Sequence, residues 1–248
     1  MVVAVLCGPT QFLEGLWSLW SWMSHLSPYM SAVLLFDGKT TPQQQMLFEK
    51  LFPNGNLLEL DGFLKQRPLP DYMRRFVAGH WVAKKLAAVF ELQKEMDVLY
   101  SDCDVIVFKK PTDIINQIAS GKSFYMFDSG YTLDPWFCRR AEQIGISVSN
   151  HLNAGLVYVP KELMKETLLK SMLWDWQPSF NHHFSEQTLF GSILLASKNS
   201  SPLPQNRYVL SNQGFLFGSG IWIAARWYAV IMPGRSGTGC IYRPTLFC

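Results

Sequence analysis

Apolar positions along the chain alternate between short unbroken runs and stripes at helical spacing. Residues 2–6 form an apolar run that stops at Gly8-Pro9-Thr10, the pattern of a buried strand and its exit turn. Phe12, Leu16, Leu19, Trp20 and Met23 recur at helical spacing, which predicts a helix over 12–26 with that face inward. A second strand is expected over 31–36, ending at Asp37-Gly38. Thr41-Pro42 then opens a helix over 41–52, because Pro suits the first helical position. With a third short strand over 56–60, the order is strand, helix, strand, helix, strand. That order is typical of a parallel sheet with right-handed crossovers.

Residues 62–72, with Lys65, Arg67, Pro68 and Pro70, read as a surface loop, and a long helix is expected over 73–95. Within it Val82, Leu86, Val89 and Phe90 share a stripe, with Lys85 at its edge and Lys84 pointing away. Later patterns predict a short helix from Thr112 to the stop at Gly121, a strand over 123–127 and a helix over 135–144. They continue with a strand entered through Asn153-Ala154-Gly155, a helix over 161–174 and a short strand over 207–210. Ser185 is expected to cap a further helix over 185–196. From Met232 onward Gly, Pro and Cys break all periodicity. Neither repeat nor linker interrupts the pattern, so one domain over 1–248 is expected.

Between two apolar runs, 98–101 and 105–108, stand Asp102 and Asp104. In extended backbone, residues two apart point the same way. Paired carboxylates beside a buried strand are costly unless a cation joins them, and a hard divalent ion such as magnesium or manganese suits oxygen donors. The alternative is a solvated turn in which Asp supplies turn chemistry. A phosphatase of the aspartyl-phosphate type would carry Thr or Gly soon after the second Asp, whereas Val105, Ile106 and Val107 follow here.

Composition narrows the classes. Hydrophobic residues make up 48% of 248, enough for a sizeable core. A net charge of +3 gives no basic face that composition would assign to nucleic acid. Cys7, Cys103, Cys138, Cys240 and Cys248 lack metal-ligand spacing and read as free thiols. No apolar run is long enough to span a bilayer, and the first residues lack a signal-peptide pattern. The expected location is cytoplasmic, with peripheral membrane contact as the alternative. The aromatic segment 16–22 has no basic residue beside it, which favours core packing over a membrane surface.

Four features in this order resemble the GT-A-fold glycosyltransferases. They are the run of β/α units, Asp102-Cys103-Asp104 between apolar strands, Asn153-Ala154-Gly155 entering a strand, and Ser185-Glu186-Gln187 opening a helix. The resemblance is strongest to the glycogenin-like enzymes and related bacterial nucleotide-diphospho-sugar transferases. It implies an α/β fold with a mostly parallel central sheet flanked by helices. A nucleotide-binding half (1–108) would precede a sugar and acceptor half (109–228), with 229–248 as a tail. It further implies a nucleotide-diphospho-sugar donor, most often a UDP-sugar, a carbohydrate or other hydroxyl acceptor, and Mn2+ or Mg2+.

By the same resemblance Asp102 and Asp104 would bind the metal, with Asp102 also on the donor ribose. Lys85, Asn153, Ala154 and Gly155 would bind the donor, and Glu186 and Gln187 would lie at the anomeric carbon. Each has a plainer alternative. Lys85 also reads as a helix lysine with its stem on apolar surface, Asn153 to Gly155 as a loop-to-strand turn, and Glu186 as a helix-terminus charge. The sequence departs from the family at Ala225-Arg226-Trp227-Tyr228, where Trp227 stands in place of a metal-site His. An indole nitrogen only donates, so a third ligand would come from water, from His182 or His183, or be lacking. The implied activity is a retaining, metal-dependent glycosyl transfer; the alternative is a sugar-nucleotide-binding protein of the same fold without catalysis.

Overall fold

A seven-stranded sheet in the order β3-β2-β1-β4-β7-β6-β8 forms the centre of the molecule. The computed structural model describes residues 1–27, 29–128, 130, 133–149, 151–210 and 229–231. The strands are β1 (Val2–Cys7), β2 (Ser31–Phe36), β3 (Asn56–Glu59), β4 (Val98–Asp102), β6 (Ser123–Phe127), β7 (Leu152–Val159) and β8 (Ser200–Pro202). β3, β2, β1 and β4 run parallel, β7 is antiparallel to β4 and to β6, and β6 pairs with β8 in parallel. A smaller sheet joins β5 (Val105–Val107) to β10 (Ala229–Ile231) and β9 (Tyr208–Leu210). The mixed α/β architecture with a mostly parallel sheet is the one expected.

Helices cover both faces. On one lie α1 (Phe12–Leu26), α2 (Pro42–Leu51) and α6 (Thr112–Ala119), packed through Leu16, Leu19, Trp22, Phe48 and Ile114. On the other lie α3 (Leu60–Lys65), α4 (Asp71–Gly79), α5 (Ala83–Gln93), α7 (Pro135–Gln143), α8 (Glu166–Leu173) and α9 (Ser185–Ala196). Among the described residues no helix is long and apolar enough to cross a membrane.

Four local expectations are corrected. The loop over 62–72 is helical at its start, because Leu60, Phe63 and Leu64 recur at helical spacing and are buried before the prolines begin. The long helix over 73–95 is two helices. At the break, a Cβ on Gly79 would lie 2.8 Å from the Trp176 ring, and His80 Nε2 lies 2.9 Å from the His182 carbonyl oxygen. Tertiary packing there overrides propensity. The helix over 161–174 begins only at Glu166, since Gln93 donates to and accepts from the backbone of Met164 and holds that stretch as a turn. Ser185 is the first helical residue and does not cap the helix; its hydroxyl is used elsewhere.

The inward face of α1 also differs. Trp22 is fully buried and donates from Nε1 to Ser101 Oγ at 3.0 Å, whereas Trp20 is exposed. Position 22 lies over the sheet because Ser18 and Ser21, small and hydrogen-bonded, let α1 approach β4 and β5 closely. Replacing Trp22 by Ala is expected to cost about 3–5 kcal/mol in urea unfolding. Trp20→Ala is expected to stay within about 0.5 kcal/mol of the parent. The reverse order would mean that the helix is rotated.

Candidate active site

Sheet topology gathers the acidic residues. In register, Leu6 pairs with Asp102 and Cys7 with Phe36, so β1, β2 and β4 end along one edge. Ligands of open α/β sheets sit at this edge. β7 enters from the same edge in the opposite direction. Ser101 pairs with Leu156, which sets Asn153, Ala154 and Gly155 beside Asp102. β6 ends opposite Leu152 and delivers Asp128 next to Asn153, whose Nδ2 donates to Asp128 Oδ2 at 3.4 Å.

Two helices add a cation and a carboxylate. Lys85, in the first turn of α5, is only 11% exposed, and Glu186, in the first turn of α9, is 6% exposed. Lys85 Nζ lies 3.2 Å from Glu186 Oε1 and 3.5 Å from Asp102 Oδ1, and donates to the Ala154 carbonyl at 3.4 Å. The Glu186 contact is a charge contact without hydrogen-bond alignment, since Oε1 is otherwise a buried acceptor without a partner. The ammonium also lies 5.2 Å from the centre of the Tyr100 ring. Burial pulls the Lys85 pKa down, but Asp102 and Glu186 outweigh it and the net shift is upward. Lys85 is therefore a charged, enclosed cation at the centre of the site.

Gln187 Oε1 accepts from the Ala154 amide at 3.3 Å, and Asn153 Oδ1 accepts from the Gly155 amide at 2.7 Å. A Cβ at position 155 would stand 2.9 Å from Asp102 Oδ2 and 2.8 Å from Asn153 Oδ1. Only glycine lets the strand pass so close to the carboxylate. Lys85, Asp102, Asn153, Ala154, Gly155, Glu186 and Gln187 thus form one connected cluster.

Asp104 is arranged differently from the sequence expectation. Asp102 closes β4, while Cys103 and Asp104 form a turn before β5, so the two aspartates do not sit on one extended strand. They still sense each other. Burial first, and then the Asp102 charge, push the Asp104 carboxyl up to about 7, and Glu14 on α1 adds to the rise. His182 and His183 have other partners. His182 Nδ1 accepts from the Phe184 amide at 3.2 Å, and His183 packs on Trp81 with ring centres 5.7 Å apart. Among the described residues no group of three or more His, Cys, Asp or Glu side chains gathers for a metal, and Trp227 lies outside them. Cys7, Cys103 and Cys138 are free thiols; Cys240 and Cys248 lie outside the described residues.

Two features were missed in the sequence. Tyr100 donates to Asp102 Oδ1 at 2.6 Å, and its spacing of two from Asp102 along a strand was the available signal. Asp134 caps α7 through the Trp136 amide at 2.8 Å, while its second oxygen accepts from Ser185 Oγ at 2.6 Å. The Asp134 amide in turn donates to Thr188 Oγ1 at 2.8 Å. This buried lock ties the starts of α7 and α9 together and so fixes where Glu186 and Gln187 stand. Asp134-Pro135 carried a capping signal, but its partner 51 residues on did not show.

Burial, the first cause, and Asp102 push the Glu186 carboxyl up from 4.5 to about 7 against the pull of Lys85. A raised acid pKa means that the folded state holds more protons than the unfolded chain between those values. Stability of metal-free protein should therefore fall as pH rises through that window. Urea midpoints across it should show that slope, and Glu186→Gln should make it shallower, leaving the Asp104 share. An unchanged slope in Glu186→Gln would contradict the buried position of Glu186.

No protein-family model matches the chain, and no curated protein matches it in sequence. Solved structures do match in fold. The mouse xyloside xylosyltransferase 1, in its apo form, is 11% identical with a TM-score of 0.55 over 88% of this chain and 91% of that one. The galactosyltransferase LgtC, in complex with donor and acceptor sugar analogues, is 12% identical with a TM-score of 0.54 over 88% and 79%. The bifunctional glycosyltransferase WbbM is 12% identical with a TM-score of 0.50 over 84% of this chain, which spans only 39% of the WbbM chain. Sheet order, acidic edge and these likenesses agree, and the chain has the fold of the GT-A glycosyltransferases.

Proposed function

We propose that this chain is a glycosyltransferase. It would move a sugar from a nucleotide-diphospho-sugar, by preference a UDP-sugar, to an acceptor hydroxyl with retention of configuration. The observation that carries the reading is the enclosed Lys85 ammonium, held at the carboxyl edge of the sheet by Asp102, Glu186 and the Ala154 carbonyl. The likeness in fold to LgtC and to the xylosyltransferase supports the same class. Residues 1–108 would serve the nucleotide and 109–228 the transferred sugar and the acceptor.

The residues fit a hard divalent cation, Mn2+ or Mg2+, held by Asp102 and Asp104. Both donors are carboxylate oxygens, and burial and the Asp102 charge raise the Asp104 pKa despite the pull of Lys85, so a further cation there would be favourable. Bound there, the ion would offset charge developing on the departing diphosphate.

The protein's own part is to bind and orient. Lys85 contributes a fixed positive charge in a poorly hydrated setting, where it acts more strongly than in water. The missing side chain at Gly155 makes room for Asp102 and Asn153, and Asn153, held between the Gly155 amide and Asp128, would border the donor sugar. Gln187 and Glu186, fixed by the Asp134 lock, flank the position assigned to the anomeric carbon, where positive charge would develop. Trp81, four residues before Lys85, packs against His183 and is still 67% exposed, so the part of its ring left open would meet an acceptor sugar.

Purified protein should release UDP from at least one UDP-sugar in the presence of manganese, and chelation should abolish release. Asp104→Asn should lower that rate by about 100-fold or more. Manganese-dependent UDP binding without turnover would support the non-catalytic alternative. Binding indifferent to manganese and to Asp104→Asn would refute the metal assignment.

A further inference from the structure

The two helical layers differ in what they show to solvent. Among the described residues, every exposed large apolar side chain except Trp81, Trp174 and Phe180 belongs to the α1–α2 layer or to a loop joined to it. The three exceptions lie apart from that layer, Trp81 beside His183, Trp174 beside Lys170 and Phe180 beside Trp136. In the α1–α2 layer Trp17 and Trp20 meet edge to face with ring centres 5.9 Å apart, and both stay exposed. Leu13, Trp17 and Trp20 form a stripe along the outer face of α1, with Trp17 64% exposed. On the same layer, α2 turns Met46 and Leu47 outward at 65% and 36%.

Cations lie within this face and at its edge, and the exposed carboxylates Glu14 and Glu49 lie on its flanks. Lys50 lies within the outer stripe of α2, three and four residues from Leu47 and Met46, whereas Glu49 is turned to the flank by its hydrogen bond from Gln45 at 2.6 Å. Glu14 lies about a quarter turn round α1 from the apolar stripe, on the side where it acts on Asp104. The chain also brings in cations from a distance. Val107 donates its amide to Ser21 Oγ at 3.0 Å, which lays the segment after β5 along α1, and exposed Phe108, Lys109 and Lys110 follow directly. Lys110 is near enough to add to the depression of the His25 pKa that burial begins. The basic residues absent from the sequence around 16–22 are thus supplied by folding.

We infer that the outer face of α1 and α2, with Phe108 to Lys110 at its edge, docks on an anionic lipid bilayer surface. Tryptophan indoles favour the boundary between headgroup and acyl chain, and lysines beside them meet lipid phosphates. No helix need cross the bilayer, so this is peripheral attachment. The surface lies on a helical layer, apart from the Lys85 cluster, and its use does not depend on the donor-site reading.

The full chain should co-sediment with phosphatidylcholine vesicles containing about one-third phosphatidylglycerol, and much less with phosphatidylcholine alone or at high salt. Trp17→Ser combined with Trp20→Ser should weaken vesicle binding by about tenfold with an unchanged melting profile, both side chains being exposed. Charge reversal at Lys50, Lys109 and Lys110 should remove the preference for anionic lipid. The inference is overturned if the parent chain ignores anionic vesicles or if the double tryptophan variant binds them equally well. It is also overturned if ultracentrifugation shows that the face is instead buried in a dimer that the tryptophan variant dissolves.

Discussion

An ammonium group enclosed by two carboxylates and a backbone carbonyl is the constraint to which the rest of this structure answers. Lys85 is 11% exposed, and a lone charge so enclosed would be far less stable than one in water. Its stability depends on Asp102, Glu186 and the Ala154 carbonyl being present together, and these come from β4, α9 and β7. Losing both carboxylates would leave a buried charge uncompensated, typically worth about 3–5 kcal/mol. The elements are therefore not free to shift relative to one another.

Several distant features are consequences of that requirement. The chain must break after Gly79 so that α5 starts where Lys85 can reach the sheet edge. Trp176 against Gly79, and His80 against the His182 carbonyl, hold that break. The Asp134 lock joins the starts of α7 and α9 and so sets Glu186. Below Asp102, Ser18 and Ser101 both donate to its carbonyl at 3.2 Å, tying the end of β4 to α1. Polar residues in this protein thus serve chiefly to aim helix starts at one edge, while the two apolar clusters supply the packing.

What was legible in the sequence follows from the range of the forces involved. Apolar runs and turn residues act locally, so β1 to β4, β6, β7 and most helix limits could be read directly. The short strands β8 and β10 could not, β8 being Ser-Ser-Pro with no such run. Carboxylates between apolar runs are anomalous wherever they occur, which singles out Asp102 and Asp104 in the sequence, but the turn that takes Asp104 off the strand does not show there. Trp20, expected on the inward face of α1, is exposed and Trp22 is buried, because serine at 18 and 21 makes the close approach that decides which side meets the sheet. The break in 73–95 and the use of Ser185 depend on partners tens of residues away, which periodicity does not report. The loop between α3 and α4 is shorter than the prolines at 68 and 70 imply, because burial of Leu60, Phe63 and Leu64 forms a helical turn before them. Trp227 and the residues after 232, expected to bear on the metal site and the tail, lie outside the described residues.

The central claim is that the acidic edge beside Lys85 holds a divalent cation and a nucleotide diphosphate together. Crystals grown with manganese and UDP, measured at a wavelength where manganese scatters anomalously, address it directly. The account predicts one anomalous peak bridging the carboxylates of Asp102 and Asp104, with the diphosphate beside it. A peak remote from both aspartates, or UDP bound away from this edge, would contradict it.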